Sequence, residues 1–469
     1  MQSQVRNPLG SAPALASADP VPLCVDLDGT LVKSDMLLES LVAALKRRPL
    51  LAFALPVWLA RGRAALKHEL AKRADAIDVA VLPYDEAVLQ RLRDAREQGR
   101  TVVLATAADS TIAQRIADHL GLFQTVLASD GVKNLKREAK ARELVARYGE
   151  KGFDYVGEDR HDVPIWNHAR EAIDVKRKTN PVRAVRRGTR AYQWAKNLLV
   201  FVPLLTAHRW DAASISACSL AFVAFCLVAS AVYLANDLAD LQDDRRHPTK
   251  RTRAIASGEL PIATALVLLP LLVAGAAFIA WRLPPAFGAL LVTYIVANLA
   301  YSLVLKRVAI LDVFVLAGLY TLRLLAGAAA IDVPVSPWLL AFSLFLFLSL
   351  ALAKRYVEVD NVLARDEEKV GGRGYHAGDG PLVAMLGTAS GYLAVLVFAL
   401  YVTSPQVAAL YRTPGVLGFA IPLLLYWISR VWLLAHRRSL HEDPLLFALR
   451  DRASYVVGAL VLVTMLAAT

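Results

Sequence analysis

Nine apolar segments in the second half of the chain limit its possible folds more than any other feature. A helix needs about 20 mainly apolar residues to cross a bilayer, and several of these runs reach that length. Because 56% of the residues are hydrophobic, a wholly soluble protein is excluded. We therefore predict an all-α membrane domain of about nine transmembrane helices over residues 191–469. The segments lie near residues 196–208, 214–236, 260–282, 284–305, 309–331, 336–357, 380–404, 414–436 and 448–469.

The basic residues of the connecting loops predict how these helices are oriented. The loops after the second, fourth, sixth and eighth segments contain clusters of Lys and Arg, whereas the alternate loops contain Arg209, Arg282 and Arg412 and little else. The positive-inside rule places the clustered loops and the N-terminal region in the cytoplasm, and the carboxyl terminus outside. The net charge of +12 does not indicate nucleic acid, because the basic residues collect at segment ends, where they suit membrane lipids and phosphorylated substrates.

The loop after the second segment combines four aspartates with a run of basic residues. Asp237, Asp240 and Asp244 follow the spacing i, i+3 and i+7, which places them on one face if the segment is helical. Three like charges repel each other unless a cation lies between them, and Mg²⁺ prefers carboxylate oxygens while bridging to phosphates. We predict a Mg²⁺ site here; a solvated loop with incidental acids is the alternative. The basic residues that could hold a diphosphate beside it are Arg245, Lys250, Arg251 and Arg253.

This loop, NDxxDxxxDRxHPxKR over residues 236–251, resembles the first aspartate-rich motif of the UbiA superfamily of intramembrane prenyltransferases. Within that superfamily it is most similar to the branch of decaprenyl-phosphate phosphoribosyltransferases, over roughly residues 183–469. The resemblance implies a bacterial inner-membrane enzyme that moves 5-phosphoribose from phosphoribosyl diphosphate to a polyprenyl phosphate lipid. Mg²⁺ on the three aspartates would stabilise the departing diphosphate.

Further elements of the same branch follow in order along the chain. Residues 190–197 resemble its RPxQWxKN signature with Ala191 in place of proline, residues 353–358 resemble its AKRYxE element, and Glu442 and Asp443 match part of a later signature. The resemblance and the positions of these residues assign substrate binding to Arg190, Gln193, Lys196, Asn197, Asn236, Arg245, Lys250, Arg251, Tyr301, Lys306, Asp312, Arg323, Lys354, Arg355 and Tyr356.

Two ionisable residues lie inside an otherwise apolar run. Asp312 and Arg323 are eleven residues apart, so they share a helix face, and charged groups in a membrane segment are costly and usually functional. UbiA enzymes that use isoprenyl diphosphates carry a second DxxxD motif here, but this chain has Leu316 four residues after Asp312. The missing carboxylate favours the phosphoribosyl branch. Prenyl transfer to an aromatic acceptor is the alternative.

The N-terminal region predicts a different fold. Residues 21–31 form a candidate buried strand that delivers Asp26 and Asp28 to its carboxyl end, directly before a Gly-Thr turn. Strands alternate with helices over residues 20–173, which implies a Rossmannoid parallel α/β sheet with a site at the carboxyl ends of its strands.

The DLDGT sequence of this first strand resembles motif I of the haloacid dehalogenase superfamily, and helical residues 36–75 fit its inserted cap. The resemblance implies that Asp26 is the nucleophile and that Asp28 protonates the leaving oxygen and later activates water. Glu158 stands where the family usually has aspartate, so a non-catalytic docking or regulatory domain is the alternative. The other residues implied are Thr106 and Lys140 (or Lys136) for the phosphoryl group, and Glu158 and Asp162 for a Mg²⁺ site with Asp26 and Asp28.

We therefore predict two domains and two activities. A disordered lead (1–19) precedes a phosphatase-like domain (20–175), a basic linker or interfacial helix (176–190) and the UbiA-like domain (191–469). The phosphatase would remove the 5-phosphate from the lipid product of the transferase. A cation pump is disfavoured because DLDGT precedes every apolar segment rather than lying between them. The sequence leaves a homo-oligomer open.

Overall fold

The computed structural model describes most of the chain. The predicted lead (1–19), residues 176–179 of the predicted linker, and Glu442 lie outside the described residues. The described residues are 20–73, 77–130, 132–158, 161–175, 180–365, 368–440 and 443–469.

Contacts between residues divide the chain into two compact units. The first contains residues up to Ala184 together with Asp237–Thr264, and the second contains Val185–Asn236 and Ala265–Thr469. The acid-rich segment therefore belongs to the same unit as the N-terminal sheet. The pattern of hydrophobicity along the chain did not predict this grouping.

A five-stranded parallel sheet forms the centre of the first unit in the described residues. Its strands are β1 (Leu23–Val25), β2 (Val102–Asp109), β3 (Thr125–Ser129), β4 (Asp154–Gly157) and β5 (Ala172–Asp174). They lie in the order β3-β2-β1-β4-β5, with Val25 opposite Leu104 on one side and Val156 on the other. The carboxyl ends of parallel neighbours meet at one edge, which confirms the predicted parallel α/β sheet.

Helices make up most of the remaining described chain. Asp35, Asp85 and Asp109 each accept hydrogen bonds from the backbone at the start of a helix, which explains where three of the N-terminal helices begin. The α-helices are α1 (Met36–Arg47), α2 (Leu55–Ala60), α3 (Arg63–Ala71), α4 (Glu86–Glu97), α5 (Ser110–Leu120), α6 (Glu138–Tyr148), α7 (Val163–Trp166), α8 (Pro181–Gly188), α9 (Val202–Thr206), α10 (Ala212–Ala239), α11 (Leu241–Arg246), α12 (Ile262–Trp281), α13 (Pro285–Leu303), α14 (Leu311–Ala330), α15 (Pro337–Leu363), α16 (Gly380–Val402), α17 (Pro405–Leu410), α18 (Ala420–His436), α19 (Pro444–Ala448) and α20 (Arg452–Ala468).

The residues predicted to form a cap contain α1, α2 and α3. Ala44, Trp58 and Leu70, one from each helix, are buried against one another in a small apolar cluster of their own. From the short apolar run at residues 50–60, Trp58 belongs to this cluster, and Leu51, Ala54 and Leu55 pack against it. The side chains of Leu50, Phe53, Val57 and Leu59 are exposed.

Seven helices in the described part of the chain are long and apolar enough to cross a membrane. They are Ala212–Ala239, Ile262–Trp281, Pro285–Leu303, Leu311–Ala330, Pro337–Leu363, Ala377–Val402 and Pro414–His436. The first and last of the nine predicted segments are shorter as helices. Residues Ala191–Phe201 form a 3-10 helix that continues into α9, and the last segment forms α20.

Small residues allow the long helices of the second unit to pack closely. A Cβ atom on Gly387 of α16 would lie 2.1 Å from the ring of Trp432 in α18 and 2.9 Å from Cβ of Leu352 in α15. Only glycine fits at this position, as is common where helices approach each other in membrane proteins.

Candidate functional site

Acidic side chains and one lysine meet at the carboxyl edge of the sheet. Asp26 directly follows β1 and Glu158 directly follows the neighbouring strand β4. Lys140 of α6 donates to Oδ1 of Asp26 at 2.8 Å and to the hydroxyl of Tyr155 at 2.9 Å. The Tyr155 hydroxyl donates to Oδ1 of Asp162 at 3.1 Å. One hydrogen-bonded chain thus joins Asp26 to Asp162, and Lys140 is the lysine that touches Asp26.

Asp28 lies in the turn after β1, and its environment differs from that of Asp26. Its Oδ1 accepts a hydrogen bond from the backbone N–H of Met36 at 2.8 Å. Burial raises the pKa of Asp28 to about 7, and the negative charges of Asp35 and Asp26 add to the effect. A carboxyl group that stays partly protonated near neutral pH can give a proton to a leaving oxygen.

The turn after Asp28 needs glycine. The predicted phosphate-binding threonine, Thr106, does not line the neighbouring cavity. Gly29 has φ +79°, and a Cβ there would lie 2.7 Å from Oε2 of Glu158. Thr106 is fully buried in β2, and its hydroxyl accepts from the N–H of Ala108 at 2.9 Å. Ala107 and Ala108, rather than Thr106, line the neighbouring cavity.

A cavity of about 870 Å³ opens beside these residues. Its basic lining residues include Lys67 and Lys136 besides Lys140, and residues 258–263 form part of its wall. Lys67 of α3 donates to the carbonyl oxygen of Ala107 at 2.6 Å, and burial lowers its pKa. Sequence reasoning missed Lys67 because a cap lysine directed into a cleft has no local signature.

The acid-rich segment brings two of its three predicted ligands together. Helix α10 ends at Ala239, and Asp240 breaks the helical path before α11 begins, so the three acids do not share one continuous helix. Asp237 and Asp244 nevertheless converge on Arg253, whose Nη1 lies 3.2 Å from Oδ1 of Asp237 and 2.5 Å from Oδ2 of Asp244. Burial raises the pKa of Asp244 even though Arg253 opposes the change.

The basic residues of this segment do not gather as predicted. Arg245 is buried, and its guanidinium binds the carboxylate of Glu39 in α1 through both terminal nitrogens, at 3.0 and 2.6 Å. It therefore does not belong to a diphosphate cradle with its neighbours, because a buried guanidinium takes the nearest carboxylate that can neutralise it. Lys250 and Arg251 are exposed.

The second unit contains a polar pocket of about 200 Å³ among its helices. Lys196 donates to Oδ2 of Asp443 at 2.7 Å, and Nζ of Lys354 lies 3.5 Å from the same oxygen. Burial would raise the pKa of Asp443, but Lys196 and Lys354 outweigh it and hold the pKa well below its usual range. Tyr320 also donates to this carboxylate at 3.2 Å.

Four predicted substrate-binding residues line this pocket together. They are Lys196, Asn236, Tyr301 and Lys354. Arg190 stacks on the ring of Tyr233, another lining residue, with 4.8 Å between the guanidinium carbon and the ring centre.

Other predicted residues bind protein partners instead. Asp312 and Arg355 are fully buried and form an ion pair at 2.5 Å, and Tyr375 donates to Asp312 at 2.7 Å. Arg323 donates to Oδ1 of Asn197 at 2.9 Å. A charge inside a membrane segment must be neutralised or hydrogen-bonded, and here the protein itself supplies the partners.

The remaining predicted residues lie away from the pocket lining. Tyr356 bonds to Nδ1 of His436 at 3.0 Å, and Lys306 lies in the 3-10 helix Leu305–Arg307. The buried side-chain oxygen of Gln193 accepts no hydrogen bond within the described residues, so it can still accept one from a ligand.

An apolar groove of about 520 Å³ adjoins the polar pocket. Leu319 lines both cavities. The groove is otherwise lined by side chains such as Val315, Leu322 and Leu344 from helices α14 and α15. An anionic group and a hydrocarbon chain of one molecule could occupy the two cavities.

Comparison with known proteins decides the family. Residues 197–453, more than half of the chain, match the UbiA prenyltransferase family. This chain belongs to the UbiA prenyltransferase family. Residues 23–165 match haloacid dehalogenase-like hydrolases, so the UbiA domain follows a haloacid dehalogenase-like domain, as predicted.

Relatives of this UbiA-family chain include one that matches almost its whole length. Uncharacterized protein y4nM of Sinorhizobium fredii is 40% identical over 94% of this chain and 90% of its own. Nodulation protein NoeC of Azorhizobium caulinodans is 37% identical over 57% of this chain and 87% of its own. The decaprenyl-phosphate phosphoribosyltransferase of Mycolicibacterium smegmatis is 40% identical over 38% of this chain and 58% of its own.

Two sets of carboxylates in this UbiA-family chain offer oxygen atoms of the kind that Mg²⁺ prefers as ligands. Within the described ranges, no group of three or more His, Cys, Asp or Glu side chains is arranged to hold a metal ion. Asp237 and Asp244 do converge on one cationic group, and two carboxylates completed by phosphate oxygens and waters suit Mg²⁺. Asp26, Glu158 and Asp162 line one cavity and offer the same oxygen chemistry.

The pocket of the UbiA domain also contains residues that the sequence did not assign to substrate binding. They are Tyr233, Asn298, Tyr320, Arg373 and Asp443. Tyr320 could have been predicted from the sequence. It lies eight residues after Asp312 and three before Arg323, on the helix face that those two residues share. Arg373 had no such signal, because it lies in a loop whose basic residues are explained by the positive-inside rule alone.

Proposed function

We propose that the UbiA domain transfers 5-phosphoribose from phosphoribosyl diphosphate to a polyprenyl phosphate, with release of diphosphate. The observation that carries the proposal is the pairing of two cavities that share Leu319. One is polar and contains Lys196, Lys354 and Arg373, and the other is an open apolar groove. A lipid phosphate needs both environments at once. The name of the Mycolicibacterium smegmatis relative supports the same substrate class.

The chemistry of the transfer follows from the charges. The C1–O bond to the diphosphate breaks, an oxocarbenium-like centre develops, and an oxygen of the polyprenyl phosphate forms the new bond to C1. Mg²⁺ held by Asp237 and Asp244 would neutralise the leaving diphosphate. Lys196 and Lys354 would hold the anionic acceptor, which needs positioning rather than a general base.

The haloacid dehalogenase-like domain is proposed to remove the 5-phosphate from the lipid-linked product. An oxygen of Asp26 would attack phosphorus and form an aspartyl phosphate while the phosphate–ribose bond breaks. Asp28 would protonate the departing oxygen and then take a proton from the attacking water. Lys140, which touches Asp26, would stabilise the phosphoryl oxygens, and Mg²⁺ would add to this stabilisation.

We also propose a location and a membrane topology for the protein. The protein would cross a bacterial inner membrane about nine times, with its haloacid dehalogenase-like domain in the cytoplasm and its carboxyl terminus outside. The seven long apolar helices support a protein that crosses the membrane several times.

The deciding experiment supplies membranes containing the protein with labelled phosphoribosyl diphosphate, polyprenyl phosphate and Mg²⁺, followed by lipid extraction. Label in the lipid phase is expected. A parallel reaction with an isoprenyl diphosphate and an aromatic acceptor tests the chemistry of other UbiA enzymes. Lipid-phase product only in the parallel reaction would refute phosphoribosyl transfer.

A further inference from the structure

Within the unit that contains the sheet, a buried ion pair joins the acid-rich segment 237–264 to α1. Arg245 in this segment pairs with Glu39 of α1, and their side chains are 2% and 0% exposed. Two such charges cannot be separated without leaving one of them unpaired in the interior, which is strongly unfavourable. The Arg245–Glu39 pair therefore fixes this part of the segment against α1.

Further contacts hold the segment near the same point. The side chain of Gln242 donates to Glu39 at 3.4 Å and accepts from the backbone N–H of Asp78 at 3.3 Å. Arg246 donates to the carboxylate of Asp78 at 2.9 Å. These contacts are more exposed than the Arg245–Glu39 pair, so they contribute less to the anchoring.

The far end of the segment is fixed by shape rather than by charge. Gly258 has φ +75°, and a Cβ atom there would lie 2.3 Å from the carbonyl oxygen of Lys33. The backbone of the segment thus rests directly on the turn that precedes α1. Any other residue at 258 would force the two apart.

Arg245 connects this anchor to the two carboxylates of the segment. It directly follows Asp244, and its Nε donates to the carbonyl oxygen of Ala256 at 3.0 Å. Ala256 lies three residues after Arg253, which bridges Asp237 and Asp244. The guanidinium of Arg245 therefore links the part of the segment that contains Asp244 to the part that contains Arg253. Without Glu39, this guanidinium would need another carboxylate, and Asp244 is in the adjacent position.

We infer that Glu39, in the haloacid dehalogenase-like domain, is a positioning residue for the transfer reaction. It neutralises and orients Arg245, so that Arg245 supports Asp237 and Asp244 without competing for them. This inference rests on the proposed function, because it assigns Glu39 to the reaction of the UbiA domain. It also implies that the fused N-terminal domain is needed for transfer even when its own chemistry is not.

The test compares Glu39→Gln with Glu69→Gln in the full-length protein. Glu69 of α3 is the matched control, since it pairs with Arg73 just beyond the end of that helix and is partly exposed. We expect Glu39→Gln to lower kcat for transfer by about 10-fold to 100-fold, as for residues that orient a metal ligand. The Mg²⁺ concentration at half-maximal rate should rise, while KM for the lipid phosphate stays unchanged. Glu69→Gln should match the parent.

Two further measurements separate positioning from loss of the fold. Because the pair acts as a unit, Glu39→Gln combined with Arg245→Gln should lose no more activity than the worse single variant. Hydrogen exchange should become faster over residues 241–256 in Glu39→Gln, and stay unchanged over Val102–Asp109. Gly258→Ala should also speed hydrogen exchange over residues 241–256, because it disrupts the contact with Lys33 at the carboxyl end of the segment.

The outcomes are distinct. Unchanged kcat and Mg²⁺ dependence in Glu39→Gln, or equal losses in Glu69→Gln, would overturn the inference. If the parent protein transfers no phosphoribose, the proposed function fails by itself. The exchange comparison then still decides whether Glu39 holds the segment, and unchanged exchange over residues 241–256 would overturn that too.

Discussion

Under the proposed function, Asp244→Asn should cause a large loss of transfer. Asp244 is buried, and its carboxylate lies 2.5 Å from the guanidinium of Arg253. Asparagine keeps the size of the side chain and removes one negative charge. The protein should therefore fold and insert as before.

The magnitude follows from electrostatics. Two unit charges 4 Å apart interact by about 4 kcal/mol at an effective dielectric constant of about 20. A loss of this size in the transition state would slow the reaction by roughly 10³-fold. Because the amide oxygen of asparagine can still bind a cation weakly, we expect kcat at saturating Mg²⁺ to fall by about 10²-fold to 10³-fold.

Asp243→Asn is the matched control for this measurement. Asp243 is the adjacent residue, its side chain is 63% exposed, and it pairs with Lys46 at 2.9 Å on the surface. Exposed pairs contribute about 0.2–1 kcal/mol, so its loss should change kcat by no more than about fivefold. The assay counts labelled phosphoribose in extracted lipid at several Mg²⁺ concentrations. Equal effects of the two substitutions would refute the assignment of Asp244 as a metal ligand.

Three other predictions test the remaining sites. Asp26→Asn should leave transfer intact and cause lipid-linked 5-phosphoribose to accumulate. Mass spectrometry distinguishes this lipid from lipid-linked ribose by one phosphate. The same phosphorylated lipid in parent and variant would contradict the prediction. Lys67→Met should raise KM for the phosphorylated substrate about 10-fold, as expected for one lost charge-assisted contact of ~1.4 kcal/mol, while Lys72→Met, on the cap surface, should not. Asp312→Asn should destabilise the membrane domain by about 3 kcal/mol, because it breaks the fully buried pair with Arg355 and leaves that guanidinium only the partly exposed carboxylate of Glu358 within the described residues. The loss should appear as a shorter half-life in detergent at fixed temperature. Unchanged half-life would contradict the structural role of that pair.

The parts of this protein that its sequence predicted correctly are those encoded by neighbouring residues. The long apolar runs indicate membrane helices, because length and hydropathy are local properties. Asp26, Asp28 and Glu158 were expected at the carboxyl edge of a parallel sheet, and each follows the strand predicted to deliver it. The UbiA and haloacid dehalogenase-like motifs also lie in short stretches, so the two families could be named before any contact was known.

The partner of each buried charge was decided only by the tertiary structure. Arg245 and Glu39 are 206 positions apart, and no local pattern marks either one for the other. Asp312 and Arg323 lie on one helix as predicted, but they bind Arg355 and Asn197 respectively.

The physical reason is the same in each case. A charge removed from water must find an opposite charge or a hydrogen-bond partner within a few ångströms, whatever its position in the sequence. The spacing of residues determines which side chains share a helix face. Only the packing of the whole chain determines which of them meet a substrate and which meet each other.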